Sequence, residues 1–587
     1  MYFCICLARR TGLVLLFAAM ALCGDLTPLI AQDFDRYRPN PPVPGPRVPE
    51  LPTPPAAPVE GSTEELVAAL RGIRVVDHES RVADPIAPFD GIQIDPAADL
   101  TVARTKAFQE TMSGYLGRPI SIRMLNEMAR NVVLLYRDHK QPVVDVAMPP
   151  GQDITDGIVQ IVVTESRIGD IHFRGNCWFD DCLLQRQGWL RRGQRIYEPC
   201  LQNELIWYNQ NPFRDVGVKL EPGSIPGTTD IIYEVQDEKP VRWYMGYEDS
   251  GTRATGLERL VFGVNWGNAW GKDHQLSYQY TTDADLGGII GVHSVIYQVP
   301  VFENRDTWTI FGSWADINPT LGGGLTNDAQ GWQLSGRYRH TLCRTKCQFD
   351  QLQFGFDTKG TNSDLDFGGG TTLQQNVEVV NFMAGLSSQQ QYCDGMTTYA
   401  GDVFVSPGHL LSQNNTADFS ALRANTKAHY IYARGYVERL YEVDCRHDLV
   451  VRVTGQIAND RLLPTEQLGF GGYNTIRGYD MRQINGDNGY IANVEYRSKP
   501  IKRCCHGKQS SLTLLTFADL GQQFNWSALA NEQDGEFMAS VGVGFRYLID
   551  PNCSIRFDYG YPLTNVSPAG QRHNDQGRIH LGAILAY

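Results

Sequence analysis

A single arginine, Arg477, stands near the tip of the stretch Leu468-Gly-Phe-Gly-Gly-Tyr-Asn-Thr-Ile-Arg-Gly-Tyr-Asp480, in which glycines occupy positions 469, 471, 472 and 478. Glycine accepts backbone conformations and close approaches that a Cβ forbids, so such a loop can double back and tuck inside a larger structure. A guanidinium offers a rigid fork of donors that suits a fixed carboxylate. One candidate lies further along, Asp519 in Thr516-Phe-Ala-Asp-Leu-Gly521; the alternative is that Asp519 is a solvated residue of a channel. The chemistry on offer is charge pairing, which can hold a loop, rather than bond breaking. The sequence has no Gly-x-Ser-x-Gly elbow, His-Glu-x-x-His, Gly-Lys-Ser/Thr loop or Cys-x-x-Cys. No catalytic residue, metal or cofactor is therefore expected, and a barrel-anchored enzyme is the rival reading from another class.

The quartet Ile476-Arg-Gly-Tyr479 and the strand Phe517-x-Asp-x-Gly521 resemble, in kind and in order, two motifs of the two-partner-secretion outer-membrane transporters (TpsB proteins). The resemblance runs from residue 66 to the C-terminus. It implies a loop in the pore carrying Arg477, Gly478 and Tyr479, and a lumen-facing partner strand presenting Phe517, Asp519 and Gly521. It also implies a secreted exoprotein cargo of the TpsA kind and no use of ATP. A related insertase, which places barrels in the membrane, is the alternative within the superfamily.

A loop can be held inside the molecule only if the rest of the chain builds an enclosure around it. With 587 residues, 58 of them Gly and 10% aromatic, the chain has the composition of a β-rich, multi-domain protein. Its formal charge of −13 argues against nucleic acid as a partner. Arg9-Arg10 followed by the apolar run Gly12–Leu22 reads as a signal peptide ending near Ala31. Beyond it no apolar run is long enough for a membrane helix, so only a barrel could span a membrane. Residues 32–65 read as a linker; ten prolines between Pro39 and Pro58 favour an extended spacer over the pore-plugging helix common in the TpsB family.

Residues 66–166 and 167–240 each read as a β-α-α-β-β unit and resemble POTRA domains, the periplasmic modules of such transporters. In the first, Leu125, Met128, Val132 and Leu135 are expected to face the core. From residue 241 the pattern changes to alternation. In Phe537–Tyr547 the apolar residues oppose Ser540, Gly542, Gly544 and Arg546; Tyr490 to Tyr496 oppose Asn493, Glu495 and Arg497. Sixteen such strands, joined by alternately short and long connections, predict an all-β membrane barrel over 241–587. The long connections are expected at 318–328, 406–422 and 459–487. The final strand ends on Tyr587, which resembles the terminal signal read by the barrel-assembly machinery. The expected location is the outer membrane of a Gram-negative-type bacterium, amid its lipids, with residues 66–240 in the periplasm.

Ten cysteines follow the signal peptide. On the strand count, Cys343, Cys347, Cys393, Cys445, Cys504, Cys505 and Cys553 all fall on the periplasmic rim. An oxidising compartment makes disulfides the expectation: Cys393 with Cys445, Cys504 or Cys505 with Cys553, and Cys177 with Cys182 or Cys200. His340, Cys343 and Cys347 have ligand-like spacing, but a tight turn in that compartment favours a Cys343–Cys347 disulfide over zinc.

Overall fold

The computed structural model describes residues 38–39, 59–251, 256–286, 290–317, 320–321, 325–345, 347–366, 372–505, 508–530, 532, 534–549, 552–566 and 577–587. Along 320–321, 325–329, 362–366, 372–375, 504–505 and 508 it describes the backbone alone. The expected signal peptide and most of the proline-rich linker lie outside the described residues. The chain divides into two compact units, residues 44–238 and residues 1–43 with 239–587.

The unit 44–238 holds two modules. The first contains β1 (Gly72–Val76), β2 (Gly91–Ile94), α1 (Lys106–Ser113), α2 (Ile122–Asp138), β3 (Val144–Ala147) and β4 (Ile158–Glu165), with sheet order β2-β1-β4-β3. Hydroxyls at Thr105 and Ser121 start the helices by accepting the Phe108 and Met124 amides at 3.3 and 3.2 Å. Met124, Met128, Val132 and Tyr136 line the buried face of α2 against Ile73, Val75 and Phe108. That face is rotated from the expected one, leaving Leu125 and Leu135 half-buried at its margins. Strand β2 was not foreseen. It has four residues, too few for alternation to register, and β1 recruits it by parallel pairing.

The second module contains β5 (Arg167–Arg174), α3 (Asp181–Gln187), α4 (Glu198–Tyr208), β6 (Arg214–Pro222) and β7 (Thr228–Asp237), with sheet order β5-β7-β6. Phe173, Tyr208 and Tyr233 form its aromatic core, with ring centroids 5.1 to 5.8 Å apart. Only Ser166 separates β4 from β5, and Arg195 Nε donates to Glu165 Oε2 at 2.7 Å, binding one module to the other.

Residues 239–587 build a closed barrel of sixteen antiparallel strands; the first, Val241–Glu248, pairs with the last, Arg578–Ala586. Closure satisfies every strand edge, the condition for a sheet to cross lipid. Leu514, Leu520, Val541, Val543 and Ile579 are exposed outward, while Ser277, Gln279, Asp357, Asp519 and Ser540 are buried inward. The alternation places strand starts near 241, 257, 273, 288, 306, 329, 347, 374, 395, 423, 447, 488, 509, 536, 553 and 577, and fourteen strands begin within two residues of these positions. The largest departure is the strand Tyr430–Glu442, expected at 423. Helix Thr416–Leu422, capped by Asn415 Oδ1 on the Asp418 amide at 3.0 Å, occupies the preceding loop and delays the strand. Strands Leu325–Arg344, Gln348–Asp366 and Thr372–Tyr392 have 20, 19 and 21 residues. That is about twice what a tilted strand needs to cross a bilayer, so the connection expected at 318–328 begins its second strand already at Leu325. Arg38 lies within the barrel, its guanidinium 4.7 Å from the centre of the Phe311 ring.

Candidate functional site

The connection between strands His447–Ala458 and Asn488–Ser498 folds back into the lumen. It carries its own small hairpin, Leu468–Phe470 against Ile484–Gly486. Leu468, Phe470, Ile476, Tyr479 and Ile484 pack with the wall residues Ile491 and Met538 and with Val566 of the connection that follows strand Cys553–Pro562. A loop with its own apolar face can rest against an otherwise polar wall without collapsing.

At the tip, Arg477 is 3% exposed and Asp519 is 1% exposed. Arg477 Nε lies 2.7 Å from Asp519 Oδ2 and Nη2 lies 2.8 Å from Oδ1, a bidentate pair, and the Arg477 amide donates to Oδ2 at 3.1 Å. Two further acids converge on Nη1: Glu495 Oε1 at 2.6 Å and Asp558 Oδ1 at 3.6 Å. Arg497 binds Glu495 at 2.7 Å and Arg546 binds Asp558 at 2.9 Å, so three guanidinium groups face three carboxylates. Phe517 presents its ring 3.5 Å below the Arg477 guanidinium. Asn493 Nδ2 donates both to Asp519 Oδ1 and to the Thr475 carbonyl, tying wall to loop.

Gly478 has φ of +91°, and a Cβ there would meet the Gly560 carbonyl oxygen at 2.9 Å. Gly521 is constrained from the other side: its Cβ would meet Ile476 Cδ1 at 2.9 Å. The Tyr479 hydroxyl lies 2.9 Å from the Ala539 carbonyl and 2.8 Å from that of Thr564. The structure thus brings Arg477, Gly478, Tyr479, Phe517, Asp519 and Gly521 into one cluster. Reasoning from the sequence missed Glu495 and Asp558 as members, although both stand on the polar face of alternating strands, where the signal was available.

A second anchor had no motif to reveal it. Glu466, fully buried, receives Lys359 Nζ at 2.6 Å, the Tyr432 hydroxyl at 2.8 Å and Asn381 Nδ2 at 2.9 Å. Arg434 Nη2 donates to the Glu466 carbonyl at 2.8 Å. Further out, Arg423 pairs with Asp487 at 2.6 Å, and Arg461 reaches Glu532 at 2.5 Å. That hydrogen bond from Arg461 holds the Glu532 carboxyl down to about 2.

The cysteines depart from expectation. Cys343, Cys347, Cys393, Cys445 and Cys553 do lie toward one rim, but Cys177, Cys182, Cys347, Cys393, Cys445 and Cys553 are free thiols. None of the pairings Cys343–Cys347, Cys393–Cys445, Cys553 with Cys504 or Cys505, or Cys177 with Cys182 or Cys200 is made. Neighbouring turns on this rim do approach, the Glu442 amide donating to the Asp394 carbonyl at 2.9 Å, but backbone and ion-pair contacts rather than sulfur join them. In the second module carboxylates close the turn instead. Asp237 accepts the amides of Cys177, Trp178 and Phe179, and Asp180 accepts that of Cys182. The side chains of Cys504 and Cys505 lie outside the described residues. Among the described residues no group of three or more His, Cys, Asp or Glu is arranged to hold a metal.

The family model described as "Haemolysin secretion/activation protein ShlB/FhaC/HecB" matches residues 227–547, and "POTRA domain, ShlB-type" matches 88–166. The heme/hemopexin transporter protein HuxB of Haemophilus influenzae (strain 86-028NP) is 20% identical over 491 residues, 80% of this chain and 82% of its own. Among solved structures, CdiB from Escherichia coli aligns with a TM-score of 0.68 at 17% identity, covering 91% of this chain and 94% of its own. CdiB from Acinetobacter baumannii aligns at 0.58 and 15%, covering 94% and 95%.

Proposed function

The chain belongs to the ShlB/FhaC/HecB haemolysin secretion/activation family, and on that premise we propose that the loop Leu468–Asp480 is the retained, movable element of its translocation path. The protein is an outer-membrane translocator of two-partner secretion, with POTRA domains in the periplasm. The family's members are transporters that work with a secreted exoprotein partner. In this reading residues 1–31 are the signal peptide, 32–65 a periplasmic linker, 66–166 and 167–240 the POTRA domains, and 241–587 the barrel.

The observation that carries the proposal is the buried, charge-matched cluster of Arg477 with Asp519, Glu495 and Asp558. A charge buried without partners costs several kcal/mol, so the loop rests where its arginine is matched and leaves only when all three acids are released together. A polypeptide needs the lumen that the loop fills. The sheet edges β2 and β3 of the first module, and β6 and the part of β5 beyond Ile168 in the second, offer backbone donors and acceptors to which an unfolded cargo adds as a further strand. Outer-membrane lipids meet the outward face, where Trp243, Trp270 and Trp308 are exposed, and the barrel-assembly machinery places the barrel among them.

Removal of residues 66–240 tests the capture role. The shortened protein is expected to insert, as heat-modifiable electrophoretic migration would report, and to release no exoprotein. Normal secretion by it would refute capture.

A further inference from the structure

His580, on the last strand, is fully buried. Its Nε2 accepts the amide of Gly478 at 3.2 Å. Its Nδ1 has no hydrogen-bond partner among the described residues; the nearest acid oxygen, Asp249 Oδ1, is 3.7 Å away. An imidazole nitrogen accepts only when it carries no proton. The bond to Gly478 therefore requires the neutral ring with its proton on Nδ1, facing Asp249.

Gly478 has little freedom to find another acceptor. Its backbone is pressed against Gly560, and a buried amide left unpaired is costly. The ring also occupies a particular place in the barrel. The last strand closes on the first, and Asp249 follows directly on the first strand, so His580 touches both the loop tip and the closing seam. Charged groups face it from each neighbouring element. Asp249 and Glu248 come from the first strand, Asp558 and Arg556 from strand Cys553–Pro562 with Asp558 directly across, Arg477 and Asp480 from the loop, and Arg578 from its own strand. Arg546, bonded to Asp558, completes four cations against four acids.

We propose that His580 is a positioning residue for the translocation loop: neutral, it clamps the tip through the Gly478 amide, and a second ring proton removes that acceptor and frees the tip. The inference rests on the reading that the loop is the moving part. It adds that retention weakens when the ring takes up a second proton, which acidification drives.

The test uses the full-length protein in planar lipid bilayers, with opening frequency followed from about pH 8 to about pH 5. Wild type is expected to open about tenfold more often at the acid end, the factor that one lost buried hydrogen bond carries. His580→Gln presents an amide oxygen to Gly478 and does not titrate. It should rescue the clamp and give a flat profile at the wild-type alkaline level. His580→Phe should be flat at the acid level; if it does not fold, His580→Gln alone decides. A flat wild-type profile, or a His580→Gln profile that titrates like wild type, overturns the inference. Arg477→Ala separates the two readings: if it opens no more than wild type at pH 8, the loop reading fails. If it opens freely while His580→Gln still titrates, only the role of His580 fails.

Discussion

The two anchors of the inward loop are electrostatic opposites. At the Arg477 end the loop supplies the cation and the wall supplies Asp519, Glu495 and Asp558. At the Glu466 end the loop supplies the anion, and the wall supplies Lys359 with the hydroxyl and amide of Tyr432 and Asn381. Neither loop charge has a sufficient partner within the loop. The loop is therefore stable only in place, and the wall carries unmatched charge when the loop leaves. A loop held by apolar contact alone could slide in small steps; one held by two buried charges of opposite sign has a seated and a released state.

The largest expected effect breaks the Arg477 end. Arg477→Ala strands Asp519, leaves Glu495 and Asp558 to Arg497 and Arg546 alone, and should cost about 3–5 kcal/mol of loop retention. Secretion should fall below detection while the barrel still inserts, because translocation needs a loop that can reseat as well as leave, as measured by exoprotein in the medium against heat-modifiable protein in the membrane. Exchanging the charges, Arg477→Asp with Asp519→Arg, should not restore it, because the new aspartate would meet Glu495 and Asp558. Recovery of secretion would show that Asp519 alone matters.

A smaller effect is expected at the other end. Glu466→Gln keeps acceptors for Tyr432 and Asn381 but leaves the Lys359 ammonium buried without a countercharge, at about 2 kcal/mol. Adding Lys359→Met removes the stranded charge, so the double variant should secrete more than Glu466→Gln alone. If the double variant is worse, the two residues are not coupled and the symmetry between the anchors fails.

The smallest effect concerns the outer bracing by Glu532. Its carboxyl is held at about 2, below the ordinary 4.5, by the bond from Arg461. A group whose folded value is depressed contributes stability that is present above 4.5 and lost as pH falls toward 2. Amide exchange of residues 525–536, corrected for intrinsic rate, should show constant protection down to about pH 5 and loss below it.

The Arg477 end was legible in the sequence because four glycines and one arginine leave a local signature, and because the resemblance of Phe517-x-Asp-x-Gly521 implied an inward-facing Asp519. Period-two alternation gave nearly every barrel strand. Glu466 and Lys359 are separated by about a hundred residues and sit in unremarkable local sequence, so their meeting is set by strand register and loop path alone. The disulfides failed for a related reason: a shared rim was readable, while which atoms meet between neighbouring turns is set by the register of the closed sheet. The helix Thr416–Leu422 was missed because seven residues, about two turns, carry too short a period to stand out between strands.

Burial of the two anchors has a consequence for the surroundings in which the protein works. An outer-membrane protein faces the external medium, whose salt content the cell does not set. Dissolved ions weaken attraction between charges only where they can approach, over about 10 Å at 0.1 M. An exposed bridge such as Lys427–Asp460, with the lysine 49% exposed, should weaken as the medium becomes brinier. Lys359–Glu466 and Arg477–Asp519, with every side chain at 4% exposure or less, are closed to those ions. The loop is therefore retained equally in dilute and in saline water.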